Sequence, residues 1–150
     1  MSLITDTSTI IQELYPDATF VLSSKFKANY QSFLTDTTDF PLIVLNNEIT
    51  KDNEIKINNN VIKNTRLVIM ILKLDKFDNT GTQSEALRAA CEVIADRIAA
   101  NVYQLTEVRP ATRQRYKVTP EFHVFNTDLT GVTLDMNVNY NETINFNKPA

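Results

Sequence analysis

Glycine is almost missing from this chain: Gly81 and Gly131 are the only two in 150 residues. Loops that cradle phosphates, and dinucleotide-binding turns, need several glycines close together so that the backbone can approach the ligand. Nucleotide-fuelled chemistry of that kind is excluded. Cysteine and histidine are equally scarce, with Cys91 and His123 alone, which rules out an internal disulfide and a structural zinc site of sulfur and imidazole ligands. Tryptophan is absent, no apolar run approaches membrane-spanning length, and Met1-Ser2-Leu3 opens no basic, apolar leader. The expectation is a soluble cytosolic product. Positive charge is not in excess either: 15 Lys and Arg against 18 Asp and Glu leave no broad basic footprint for nucleic acid.

What remains has the composition of an ordinary globular protein, 43% apolar and 22% charged. A chain of this length suits one domain that buries roughly 68–70% of its unfolded surface. Asn is common at 16 residues, alongside many Ile and Lys, as AT-rich codon usage would give.

Ile10, Ile11 and Leu14 recur at helical spacing between Thr5 and Tyr15, and Pro16-Asp17 ends that helix. Thr19 to Leu22 reads as a short strand, Lys25 to Leu34 is ambiguous, and Leu42 to Leu45 is a strand with Pro41 at its start. From Asn46 to Asn60 the chain turns polar around an alternating Glu54-Ile55-Lys56-Ile57, which predicts an exposed hairpin arm. Arg66 to Leu74 is apolar on both alternating faces, as expected of a central strand covered on both sides.

A turn at Asp78-Asn79-Thr80-Gly81 and a capping-box spacing in Thr82-Gln83-Ser84-Glu85 then announce a long helix. Its stripe is Leu87, Cys91, Ile94, Ile98, Val102 and Leu105. Each buried aliphatic residue there contributes roughly 1.5–3 kcal/mol before entropy. Val118, Phe122 and Val124 precede a turn at Asn126-Thr127-Asp128. Val132, Leu134, Met136, Val138 and Tyr140 then alternate with Thr133, Asp135, Asn137 and Asn139 in a half-buried strand whose polar face meets solvent or a neighbouring subunit.

Chemical sites are few. Cys91 with His123 has the composition of a thiolate and its base, but a place in an apolar helical stripe favours a buried structural thiol. Asp17, Glu54 and Lys56 superficially resemble the two carboxylates and lysine of a metal-dependent nuclease, although Lys51 and Asp52 stand where a buried apolar strand should lead in. Asp75, Asp78, Asn79 and Glu85 offer oxygens at spacings that depart from a calcium loop, and a capped helix entry explains them better. Arg109, Arg113, Arg115 and Lys117 form the one basic segment. Without interleaved aromatics it suits a protein-facing or loosely DNA-facing loop rather than specific readout. The arm's exposed edge is a natural template for pairing with another chain.

The order of the elements resembles the small neck and tail-connector ring proteins of tailed bacteriophages, of the tail-terminator or tail-completion type. The carriers are the N-terminal helix, Phe40-Pro41-Leu42-Ile43-Val44-Leu45, the strand Leu67 to Leu74, the helix Ser84 to Leu105, Pro120-Glu121-Phe122, and Asp128-Leu129-Thr130-Gly131-Val132 before the last strand. The Asn-rich composition is similar to that of phages infecting gut Bacteroidetes, including crAss-like phages.

The resemblance implies an α+β subunit, a mostly antiparallel sheet packed by one long and one short helix, with the projecting arm at 46–60. Such subunits assemble head to tail into a ring in the neck or tail of the virion, beside portal, adaptor or tail rings, and genome DNA passes through the lumen without being read. No catalytic residue, metal, cofactor or membrane is implied. Contacts would come from the arm, through Asn46, Asn47, Lys51, Asp52, Asn53, Glu54, Lys56 and Asn58, and from Arg109, Arg113, Arg115 and Lys117 facing another ring or the channel. The competing readings are the nuclease and a small monomeric ligand-binding α+β domain.

Overall fold

The computed structural model of the chain describes residues 3–23, 41–46, 51–55, 60–75, 80–105, 108–110, 116–122 and 129–143. Two long strands, β4 (Asn60–Leu74) and β7 (Leu129–Thr143), pair antiparallel through fifteen consecutive registers, from Asn60 opposite Thr143 to Leu74 opposite Leu129. At roughly 3.3 Å per residue this ladder runs for about 48 Å. On its β4 side, β2 (Leu42–Asn46) pairs with residues 69–72 and β3 (Lys51–Ile55) with residues 61–65. On its β7 side, β6 (Tyr116–Glu121) pairs with residues 131–136 and β5 (Val108–Pro110) with residues 138–140. β1 (Thr19–Ser23) joins parallel to β2, and every other pairing is antiparallel. With α1 (Leu3–Leu14) and α2 (Gly81–Tyr103) this is an α+β fold of one long and one short helix on a mostly antiparallel sheet.

The two faces of the sheet follow from residue alternation. One face presents Leu67, Ile69 and Ile71 of β4, Val132, Leu134, Met136 and Val138 of β7, and Ile43 and Leu45 of β2. Against it lie Leu3 and Ile11 of α1 and Cys91, Ala95, Ile98, Ala99 and Val102 of α2. The opposite face has a smaller buried cluster of Leu42, Val44, Met70, Leu72 and Leu129. Burial of Ile69, Met70, Ile71 and Leu72 on alternating faces bears out the doubly covered central strand.

Several boundaries differ from the sequence reading. Helix α2 begins at Gly81, and its capping box is Thr80 with Gln83. The Gln83 amide donates to Thr80 Oγ1 at 3.2 Å, and the Thr80 amide donates to Gln83 Oε1 at 2.7 Å. The expected box at Thr82 and Glu85 has the same spacing two residues later, inside the helix, where Glu85 accepts from Arg88 instead. In the stripe, Cys91, Ile98 and Val102 are buried, Leu87, Ile94 and Leu105 are half-buried, and Ala95 and Ala99 complete the contact. Leu129-Thr130-Gly131, expected to lie before the last strand, is the start of β7. The expected hairpin is present as β3 paired antiparallel with the start of β4, which is itself the end of the ladder, while Asn46 closes β2 opposite Ser23. The ambiguous stretch from Lys25 to Leu34 and the turn at 126–128 lie outside the described residues.

Gly131 lets β4 and β7 approach closely near one end of the ladder. It sits opposite Leu72, and a Cβ built there would overlap the backbone carbonyl oxygen of Ile71. Backbone cannot step aside as a flexible side chain does. Gly131→Ala is therefore expected to destabilise the protein by about 3 kcal/mol or more, read as a fall in the urea midpoint. A midpoint unchanged from the parent would show that the strands separate there without cost.

Candidate functional site

On the sheet face away from the helices, three neighbouring strands bring charges into one row. Arg66 of β4 and Lys117 of β6 flank Asp135 of β7, where Lys117 is in register with Asp135 and Arg66 with Asn137. Arg66 Nε donates to both Asp135 oxygens at 3.0 and 3.1 Å, and Nη2 donates to Oδ2 at 2.5 Å. The hydrogen bond and charge of Asp135 raise the guanidinium pKa further. This fork holds the guanidinium plane still and leaves Nη1 without a protein partner among the described residues. Lys117 is exposed and makes no ion pair among the described residues. Arg66, Lys117, Asp135, Asn137 and Tyr116 line an open depression of about 470 Å³.

Lys117 was a sequence candidate; Arg66 and Asp135 were not. Asp135 was visible as part of a polar face, but its pairing with a residue 69 positions away depends on a register that alternation alone does not supply. Arg109 and Lys117, expected in a loop, are both in strands, β5 and β6. Those strands run along the same β7 edge, with Pro110 opposite Val138 and Tyr116 opposite Met136, so the ends of the basic segment are fixed two β7 positions apart. Tyr116 Oη donates to Asp96 Oδ1 of α2 at 2.8 Å, which ties β6 to the helix layer and raises the phenol pKa. Arg113 and Arg115 lie outside the described residues, as do Asn47, Lys56 and Asn58. Lys51, Asp52, Asn53 and Glu54 are all in β3, and Asn53 is exposed.

The nuclease constellation does not converge. Glu54 is in register with Ile62, whereas Asp17 precedes Thr19, whose register runs through Leu42 to Leu72. Ten residues of β4 separate those levels, about 33 Å. Two carboxylates that far apart cannot share a cation.

The oxygen-rich helix entry has a different function from the calcium site considered. Asp75, fully buried at the end of β4, accepts from Ser84 Oγ of α2 and Thr130 Oγ1 of β7, each at 2.7 Å on Oδ2. One carboxylate thus ties the start of the long helix to both ladder strands. Asp78 and Asn79 lie outside the described residues. Cys91 is buried, and burial pushes its thiol up to about 11, so the unreactive thiol prevails at neutral pH; His123 lies outside the described residues. No helix among the described residues is long and apolar enough to cross a membrane.

No protein-family model matches this chain, and no curated protein matches it.

Two measurements check this assignment of polar groups. Asp75→Ala removes the acceptor that Ser84 Oγ and Thr130 Oγ1 share and is expected to cost about 2–4 kcal/mol, seen as a lower melting midpoint; a loss under about 0.5 kcal/mol would mean that the carboxylate does not hold the helix entry. Cys91 should be alkylated by iodoacetamide at pH 8 only as fast as the protein unfolds, with urea accelerating it. Rapid labelling of the native protein would place the thiol at the surface.

Proposed function

We propose that this chain is a non-catalytic building block of a tailed-phage virion, assembling head to tail into a ring of the neck and tail-connector kind it resembles. Its partners are further copies of itself and the adjoining portal, adaptor or tail rings. Genome DNA passes through the lumen without sequence-specific contact, which accords with a net charge of -3.

The observation that carries this reading is the open edge strand β3 at the far end of the ladder. Tyr103 Oη, at the end of α2, reaches the carbonyl of Asn137 at 3.3 Å, and β7 continues six residues further, about 20 Å, with β4 and then β3 alongside. On β3, Asn53 is exposed and Ile55 is 68% exposed. An aliphatic side chain left that open at the edge of a sheet gains stability when another chain covers it. The ladder beneath holds the strand in place, so the element is built to present a surface.

Removal of residues 51–58 therefore separates folding from assembly. The shortened chain is expected to keep its circular dichroism spectrum and a cooperative melt, and to remain a monomer in light scattering where the parent forms rings visible by negative stain. Rings from the shortened chain, or its failure to fold, would refute an assembly role for this strand.

A further inference from the structure

We infer that the charged depression on the open sheet face is the socket for the α2 helix of a second copy of this chain. This rests on the head-to-tail assembly proposed above and names the surfaces that meet.

The two surfaces lie on opposite sides of one sheet. The depression is on the face that carries Arg66, Asp135 and Asn137, whereas α2 packs against Leu134, Met136 and Val138 on the other. Tyr116 at the rim reaches Asp96 of its own α2, but alternation along the strands turns Arg66, Lys117 and Asp135 away from Glu85 and Glu92 of the same subunit. A contact between them is thus intermolecular and heterologous, the kind that repeats from copy to copy and closes when its rotation divides the circle.

Their charges match. In the depression, two cations surround one carboxylate, with Nη1 of the clamped Arg66 and the ammonium of Lys117 left for an incoming group. Helix α2 presents the reverse arrangement. Arg88 bridges Glu85 and Glu92 at 2.6 and 2.8 Å, yet its side chain is 18% exposed against 56% and 42% for the two carboxylates. The acids therefore stand outermost, and Asp96 one turn beyond Glu92 is exposed while it accepts from Tyr116 Oη of its own subunit. The nearest cation along the helix, Arg97, lies against the Tyr15 ring of α1, 6.0 Å from its centroid. Val93, 58% exposed beside Glu92, supplies the apolar contact that a polar socket by itself lacks.

A guanidinium already oriented by Asp135 loses little freedom on binding a second carboxylate, so the arrangement favours association over a mobile surface arginine. The occupant is a protein carboxylate row rather than a nucleic-acid backbone, because Asp135 sits at the centre of the row, where a continuous line of phosphates would be repelled.

Charge reversal on both sides provides the test, in the full chain, with sedimentation velocity across concentration as the readout and a thermal melt to verify folding. Lys117→Glu and Glu92→Lys are each expected to weaken self-association about tenfold or more. Glu92→Lys leaves the Glu85–Arg88 pair in place. The double variant should recover to within about threefold of the parent, because the reversed charges again oppose one another. Single variants that associate like the parent, or a double variant no better than the weaker single, would overturn this interface while leaving ring assembly standing. A parent that stays monomeric at every concentration would overturn both.

Discussion

The pairing of β4 with β7 is the constraint from which the remaining structure follows. These strands are far apart in sequence, yet fifteen consecutive registers hold them together. All the other strands, except β1, pair directly with one or the other of them. A shift of one residue would turn Leu67, Ile69 and Ile71 away from the helices and bring Arg66 and Val68 in, so register and core are specified together. Gly131 adds a steric condition near one end, where only a residue without Cβ fits against the Ile71 carbonyl. The ladder also carries the sheet beyond the helices: Val61 is buried and Ile62 half-buried in β4, and both strands there continue from segments packed in the core.

Helix α2 is placed by two kinds of interaction that act at different points. Along its length, Cys91, Ala95, Ile98, Ala99 and Val102 are buried against the ladder, and two alanines in that set let the helix lie close to the sheet. At its start, the direction is fixed by polar contacts, the Thr80–Gln83 box and the Asp75 carboxylate shared by Ser84 and Thr130. Apolar burial is nondirectional, so it leaves helix rotation and axial position loosely determined. A buried carboxylate with two hydroxyl donors removes that freedom, because any slip leaves polar atoms unpaired away from water.

Much of this was legible because local pattern and tertiary environment agree. The apolar run Leu67 to Leu74 marks a strand covered on both faces, and Val132 to Val138 alternates because helices cover one face only. Helix α2 announced its stripe by spacing. The failures came where one local signal fits two positions or where the answer lies at a distance. Thr80–Gln83 and Thr82–Glu85 offer the same capping pattern, and the choice depends on where the chain leaves β4. The last strand was expected from Val132, where alternation begins, yet pairing with β4 extends it back through Leu129-Thr130-Gly131. Asp75 looked like one of several loop oxygens because its partners are 9 and 55 residues away. The charge row of Arg66, Asp135 and Lys117 was hidden for the same reason: it comes from three strands, and no window of sequence contains it.

The same separation bears on the head-to-tail assembly proposed for this chain. In the described residues both helices lie on one side of the sheet, and the polar face around Arg66 and Asn137 has no helix of its own. A subunit of this kind has two unlike surfaces, and two unlike surfaces that fit each other produce a chain of copies rather than a closed pair. Whether the chain closes depends on the angle between successive copies, which is set by where the docking contacts sit relative to the sheet plane. On the proposed docking, Arg66 and Lys117 stand on strands of a ladder about 48 Å long that is anchored in the core. In the proposed assembly, rigidity there would favour one angle, and one angle is what a head-to-tail contact needs to close a ring of fixed size.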